Sequence, residues 1–370
     1  MNILQIINEP WDSAVTDYGI AQAKGLKEKG HYVLVAGLKN TVPLRKAEQA
    51  GIDILCDIEF NVYNPVRLAY SISRLRNILQ EHNINIINSL RSEGCWLGYI
   101  ASRGLNVKII RTRGEARTVQ NNYINHRMYN KWISFVILPS EMAKKKYIPF
   151  NLVHSEVIYY GISPDEFTMD IDAGRKIRKR WGICDDEIVF GVVGRLDPVK
   201  GHKYFIQAAA IVANSIDKVR FVIIGEEKNT RLSELIALCH ETGIKDKVIF
   251  TTHRLDNICE YYSAIDIGVI PSIGSEVISR VGLEFMSCEV PVIVTDVGVL
   301  PEIVDNTSGV VIPAAQVEIM ATEMMNMAQN KERIKVMGKN ARARVGKYYH
   351  KDIFVNKTEQ IFIDVVEDRI

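Results

Sequence analysis

Short β-branched runs alternate with helical patterns along the whole chain, and the plan is laid down twice. In the first half strands are expected at residues 2–7, 32–36, 85–88, 107–111 and 135–138, with helices at 13–29, 65–82 and 121–132 between them. In the second half strands are expected at 188–193, 220–224, 248–251, 267–270 and 291–295, with helices at 204–215, 231–242 and 281–288. Such alternation calls for parallel strands joined by crossover helices, an α/β fold. At 370 residues the chain is too long for one ordinary core, so two domains are expected. The turn-rich stretch Tyr160-Gly161-Ile162-Ser163-Pro164, after a further strand expected at 156–158, marks the boundary, giving domains over 1–160 and 161–349. Residues 350–370 continue as a helical pattern. Ile353, Phe354, Ile361, Phe362, Val365 and Val366 recur at helical spacing, and this apolar stripe needs burial. The segment is therefore expected to cross back to the first domain rather than end as a free tail.

Composition narrows the class. At 47% hydrophobic and 24% charged the chain is ordinary soluble globular material. No apolar run approaches the roughly 20 residues of a membrane span. Met1-Asn2-Ile3-Leu4 lacks the charged start of a signal peptide and Glu9 ends the first apolar run, so a cytoplasmic protein is expected. The six cysteines are scattered with no metal-ligand spacing, and the histidines do not cluster, so reduced thiols and no metal site are expected. Neither GxGxxG nor GxxxxGK[ST] occurs, which counts against a dinucleotide dehydrogenase and a P-loop NTPase. Net charge is +2 but uneven: residues 1–160 hold 20 Lys+Arg against 13 Asp+Glu, and the remainder 26 against 31. A basic first half suits an anionic partner, such as an acidic membrane surface or a phosphorylated acceptor; ordinary solvated faces are the alternative. No nucleic-acid partner is expected.

Two motifs carry chemistry. Gly194-Arg195-Leu196-Asp197-Pro198-Val199-Lys200-Gly201 follows an apolar strand, where ligands bind at the carboxyl ends of open parallel sheets. Arg195 and Lys200 could grip a diphosphate there, at a helix start that already favours anions. The competing reading is a charged loop paired with Asp197 or Glu226. Eighty residues on, Pro271-Ser272-Ile273-Gly274-Ser275-Glu276 leads into a helix that carries Glu284. Carboxylates accept hydrogen bonds from sugar and ribose hydroxyls, and the N–H groups of Val277, Ile278 and Ser279 are expected beside them. Arg280 stands four residues after Glu276, the favourable order for a helical ion pair. Together these residues describe a site for a nucleotide sugar.

The stretches GVVGRLDPVKGH, FVIIGEE and SEVISRVGLEFMSCEVPVIVTDVGVLPEIV resemble the retaining glycosyltransferases of family 4. The resemblance is strong over 188–305 and looser at Lys29-Gly30-His31-Tyr32-Val33 and Tyr160-Gly161-Ile162. It implies the GT-B fold, two Rossmann-like domains facing a central cleft. It implies that Arg195 and Lys200 bind the donor diphosphate, that Glu284 holds the ribose, and that Glu276 lies by the donor sugar. Gly194, Ile278, Ser279 and Arg254 are implied as further donor contacts, and Gly298 and Glu302 as shaping the neighbouring helix start. Ser13-Ala14 stands where the family usually has Gly-Gly, Ile278-Ser279 where it often has Phe-Gly, and Gly114 where many members have His.

Arg111-Thr112-Arg113, with Asn88-Ser89-Leu90-Arg91-Ser92-Glu93, resembles a subgroup linked to lipopolysaccharide and other cell-surface glycans. On that likeness Arg91, Arg111, Arg113 and Arg117 are expected on the acceptor side. The implied activity is a retaining, metal-independent transfer from a UDP-, GDP- or ADP-sugar to a glycan or glycolipid hydroxyl, without a cofactor, and with possible contact to an anionic membrane. An epimerase or phosphorylase on the same fold, or a non-catalytic sugar-nucleotide binder, are the rival readings.

Overall fold

The computed structural model describes residues 1–62, 64–114, 118–253, 255 and 257–370. The chain forms two compact units, Met1–Gly161 with Lys351–Ile370, and Ile162–His350. Each is built on its own parallel sheet. Among the described residues no helix is long and apolar enough to cross a membrane.

The first sheet holds β1 (Asn2–Ile7), β2 (Tyr32–Gly37), β3 (Asp53–Leu55), β4 (Ile86–Ser89), β5 (Lys108–Thr112), β6 (Phe135–Leu138) and β7 (Ser155–Val157). Their order is β3-β2-β1-β4-β5-β6-β7. β1 pairs with β2 through Ile3 and Val33, and with β4 through Ile3 and Ile86. The strands are nearly all apolar because crossover helices bury both faces. One exception is polar and closed on itself. Asn88 Nδ2 donates to Gln5 Oε1 at 2.8 Å and Gln22 Oε1 at 2.9 Å, while Thr112 Oγ1 donates to Asn88 Oδ1 at 2.8 Å. All four residues are buried, and their bonds tie β1, β4, β5 and the first helix into one register.

That helix spans Ala14–Glu28, and Ser13 caps it by accepting from the Thr16 N–H at 3.2 Å. Against it lies the C-terminal helix Lys351–Val366, which belongs to this unit, as its apolar stripe requires. Phe354, Val355, Thr358, Ile361, Phe362 and Val365 are buried, whereas Ile353 and Val366 are only half-buried. Gly25 permits the approach: a Cβ there would stand 2.2 Å from Val355 Cγ2. Phe354 meets the Tyr18 ring edge-on at 4.8 Å, and the Tyr18 hydroxyl donates to the Ile158 carbonyl at 2.9 Å.

The second sheet holds β8 (Ile188–Val193), β9 (Val219–Ile224), β10 (Val248–Thr251), β11 (Ile267–Ile270), β12 (Val292–Thr295) and β13 (Gly309–Ile312) in the order β10-β9-β8-β11-β12-β13. β8 lies between β9 and β11, so the order reverses there. At such a switch point the crossover helices leave on opposite faces and a crevice opens at the strands' carboxyl ends.

Most expected elements stand within a residue or two. The segment expected as one helix over 121–132 is an α-helix, Tyr123–Arg127, that widens into a π-helix at Met128–Trp132. β3 and β13 were not expected. Each is short, three and four residues, and occupies a sheet edge where little periodicity is needed. Phe354→Ala removes a fully buried ring from the contact that seats the last helix. A cost of about 3–5 kcal/mol is expected, read as a lower urea midpoint.

Candidate functional site

The switch point of the second sheet gathers three loops. The first leaves β8 as Gly194-Arg195-Leu196-Asp197, makes a single turn at Pro198–Lys200, and enters the helix His202–Ser215. Asp197 shapes it: Oδ1 accepts from the Val199 N–H at 3.1 Å and Oδ2 from Asn229 Nδ2 at 2.7 Å. The second loop leaves β11, and its Ile273 N–H donates to the Val199 carbonyl at 2.9 Å. Gly201 has φ +74, and a Cβ there would fall 1.9 Å from the Pro271 carbonyl oxygen. Only glycine allows these backbones to touch. The third loop leaves β12. Its Val299 N–H donates to the Glu276 carbonyl at 2.8 Å, and a Cβ on Gly298 would lie 1.8 Å from that same oxygen.

This packing places Lys200 Nζ 2.5 Å from Glu276 Oε1, which also accepts from Ser272 Oγ at 2.7 Å. The Glu276 side chain is 4% exposed and that of Lys200 24%, so the lysine faces outward from a buried carboxylate. Thr295 Oγ1 in turn donates to the Ser272 carbonyl at 2.6 Å. The partner of Lys200 is thus Glu276, not Asp197 or Glu226. Arg195 is exposed and, among the described residues, makes no ion pair.

Glu284 is held differently. It lies buried in the second turn of the helix Arg280–Ser287. Oε2 accepts from the Tyr262 hydroxyl at 2.6 Å, and Oε1 from Arg280 Nη2 at 2.8 Å and Nε at 3.0 Å. Burial, and then the neighbouring carboxylate, push the Tyr262 phenol well above its usual range, so it stays a donor. Arg280 therefore pairs with Glu284 and not with Glu276. The reason is local: Ser275 and Ser279 are left-handed, at φ 61 and 49, so the helix begins only at Arg280 and Glu276 is off its register. Ile278 and Ser279 are buried, and among the described residues the N–H groups of Val277, Ile278 and Ser279 donate no hydrogen bond. Successive free N–H groups before a helix start favour an anion.

Arg254 and Arg117 lie outside the described residues. The other expected positions fall in the first unit. Ser13 caps its helix and Ala14 is exposed at the helix start. Gly114 has no room for a side chain, because a Cβ would meet Val15 Cγ1 at 2.7 Å. Val15 thereby fills the space where a histidine was expected from the resemblance. Arg111 is fully buried and donates to the Ser89 carbonyl at 3.2 Å. Arg113, 5% exposed, lies over the Tyr147 ring at 5.3 Å. Arg91 pairs with the buried Glu9 at 3.1 Å.

Sequence reasoning missed several of these partners. Tyr262 stands 22 residues before Glu284 and carries no motif, so only the fold joins them. Ser272 lies inside the Pro-Ser-Ile-Gly-Ser-Glu stretch, and its spacing from Glu276 was a usable signal. Asn8, just past β1, is buried, and its amide side chain finds no partner among the described residues.

His202 was also passed over. It is buried at the start of the helix that follows Lys200, and its Nε2 finds no hydrogen-bond partner among the described residues. Burial holds its imidazole down at about 4. In the unfolded chain the value is about 6.5, so between these values the unfolded state binds the extra proton. The resulting stability is complete above pH ~6.5 and is lost as pH falls toward ~4, by roughly 3 kcal/mol. Urea melts across that window should show this loss, and His202→Gln should flatten it.

Comparison with known proteins bears on the second unit above all. Residues 174–344 match the family described as glycosyl transferases group 1. A D-inositol 3-phosphate glycosyltransferase of Segniliparus rotundus is 29% identical over 46% of this chain and 39% of its own length. An uncharacterized glycosyltransferase of Methanocaldococcus jannaschii is 36% identical over 40% of this chain and 38% of its own. The chain thus spans well under half the length of these two relatives. Among solved structures, a glycosyltransferase from Rickettsia africae superposes with a TM-score of 0.87 at 18% identity, covering 99% of both chains. HepE of Anabaena, in complex with UDP, superposes with a TM-score of 0.85 at 20% identity, covering 97% of this chain and 99% of its own. Two Rossmann-like parallel sheets and these structural neighbours identify the fold as GT-B, and the group 1 similarity falls on the unit that carries Lys200, Glu276 and Glu284.

Proposed function

We propose that this protein is a retaining glycosyltransferase that uses a nucleotide-diphosphate sugar, without a metal ion. The observation that carries the reading is the Lys200–Glu276 pair at the switch point, flanked by the exposed Arg195 and the clamped Glu284. The group 1 match and the UDP held by HepE support a sugar nucleotide as donor.

The roles follow from chemistry. Arg195 is free for the diphosphate, and Lys200 has ammonium protons to offer beyond the one that meets Glu276. The N–H groups of Val277 to Ser279 add a neutral, fixed anion site. Glu284, fixed by Tyr262 and Arg280, retains lone pairs for the two ribose hydroxyls. Glu276 accepts from a hydroxyl of the donor sugar and aims Lys200 at the adjoining phosphate. In the transfer the acceptor oxygen bonds to the anomeric carbon on the face from which the diphosphate departs. The bond from that carbon to the phosphate oxygen breaks, and the acceptor proton passes to a departing phosphate oxygen. Negative charge grows on the leaving group, and cations fixed in advance stabilise it most at that moment. The acceptor is a glycan or glycolipid, taken up on the first unit beside the partly exposed Arg91; Arg111 and Arg113, buried beneath, only shape that edge.

Arg195→Ala is expected to lower turnover well over tenfold with the fold intact, since a charge-assisted contact is worth about 1.5–3 kcal/mol; Lys200→Ala should lower turnover as much and also lower the urea midpoint, because it leaves the buried Glu276 without its counter-charge. EDTA should leave the wild-type rate unchanged. Near-normal turnover in both variants, or a strict need for manganese or magnesium, sinks the phosphate assignment.

The two carboxylates separate by kinetic signature. Glu284→Gln should raise the donor KM, because the ribose contact is made before and during reaction. Glu276→Gln should lower kcat more than it weakens binding. The reverse pattern, measured at saturating acceptor, exchanges the two roles.

A further inference from the structure

Residues 118–155 carry five Lys+Arg against one carboxylate, Glu141, and their large apolar side chains divide between two sides. The segment begins with the helix Tyr123–Arg127 and the π-helix Met128–Trp132, passes through β6, and returns by the helix Glu141–Lys145 and the single turn Ile148–Phe150. One side is packed. The Tyr129 ring meets Tyr147 edge-on at 5.2 Å and Phe150 at 5.3 Å, and the His126 ring stands 4.8 Å from Phe150. Tyr129, Tyr147 and Phe150 are buried, so these contacts seat the first helix beside the later turn. Residues three and four apart share a helix face. With His126 and Tyr129 turned inward, Tyr123, Ile124, Arg127 and Lys131 fall on the outer face. Arg127 Nη1 donates to the Tyr123 hydroxyl at 2.9 Å, which holds two of them together. Tyr123 is 71% exposed, Ile124 66%, and Ile148, between two buried rings, 74%. Lys144 and Lys145 end the helix just before that turn. They and Lys131 are exposed and make no ion pair among the described residues.

We infer that this outer face, Tyr123, Ile124 and Ile148 set among Arg127, Lys131, Lys144 and Lys145, is a docking surface for an anionic lipid bilayer. An exposed isoleucine by itself is ordinary, but several large apolar side chains gathered on one face mark an interaction surface. Charge complementarity selects the occupant. A bilayer interface takes the tyrosine ring at headgroup level and the isoleucine tips at the acyl boundary, while the cations meet acidic headgroups. A nucleic acid would use the cations and leave the isoleucines in water. Each cation near an acidic membrane surface raises partitioning by about fivefold. Lasting attachment without a spanning helix takes two signals, and this face supplies one apolar and one basic. The surface does not depend on the transferase reading, since lipid binding is measured without a sugar nucleotide.

The test uses the full chain with vesicles of phosphatidylcholine alone or with one third phosphatidylglycerol, read by co-sedimentation. Binding to the anionic vesicles should exceed binding to the neutral ones by about tenfold or more, and should weaken as salt is raised. Lys144→Gln with Lys145→Gln should lower the partition coefficient about 25-fold, fivefold for each lysine. Ile124→Ser with Ile148→Ser should lower it by about tenfold. Both isoleucines are exposed, so the urea midpoint should not move with that pair. Lys335→Gln with Lys339→Gln, at exposed lysines of the second unit, should leave binding unchanged. Binding to neither vesicle, or equal binding to both, overturns the docking surface. A loss from the Lys335 and Lys339 pair as large as from Lys144 and Lys145 also overturns it, because overall charge then does the binding. Lysine-dependent binding that ignores the isoleucine pair overturns it too, because the face then acts by charge alone.

Discussion

The contact between Lys200 and Glu276 exists only because two loops from adjacent strands can touch. A sheet order that reverses at β8 and β11 sends the crossover helices to opposite faces, and the strand ends between them are left uncovered. Without side chains to separate them, Gly201 meets the Pro271 carbonyl and Gly298 meets the Glu276 carbonyl. A methyl group at either position would force the backbones apart. The buried carboxylate would then lose its counter-charge, and a buried charge without a partner is strongly destabilising. Glycine chemistry in the loops is thus the precondition for charge chemistry in the site.

The two carboxylates show how one side-chain type acquires two behaviours. Glu284 is held by a phenol and a guanidinium fork on rigid helices, with both oxygens engaged. Its geometry is set before any ligand arrives, which suits a constant contact. Glu276 stands at the end of a loop with two left-handed serines, and its counter-ion is a flexible lysine with a partly exposed head. Lysine is a point charge on a long stem, able to shift between two anions without a fixed fork to break. That suits a contact whose partner changes charge during a reaction.

Legibility in the sequence followed the length scale of each interaction. Strands such as β6, β8 and β11 were readable because each is an unbroken apolar run bounded by turn residues. The last helix was readable because its stripe demanded burial, and the GT-B fold followed from the residue order of 188–305. Partners were not readable. Lys200 has Asp197 as its sequence neighbour, yet it bonds across 76 residues to Glu276. Arg280 was read against Glu276 because four-residue spacing suggests a helix, and the backbone turns left-handed at Ser279 instead. The Gln5, Gln22, Asn88 and Thr112 network left no mark at all, since each residue alone looks like an ordinary surface polar group.

The charge asymmetry of the chain has a different meaning once burial is known. The excess of basic residues in the first 160 suggested cations offered to an anionic partner. Arg111 is fully buried, and Arg113 is nearly so and stacked over Tyr147. Arg91 is tied to Glu9, a carboxylate almost as buried as Glu276. These guanidiniums therefore act first within the unit, fixing the ends of β4 and β5 around the exit of β1. The second unit, acidic overall, nevertheless leaves Arg195 exposed and Lys200 at its switch point. Net charge by segment thus says little about where an anion can bind. What decides is which cations the fold sets at a strand's carboxyl end, and in the second unit the order reversal at β8 selects for that place Arg195, without an ion pair among the described residues, and Lys200, whose partner is Glu276.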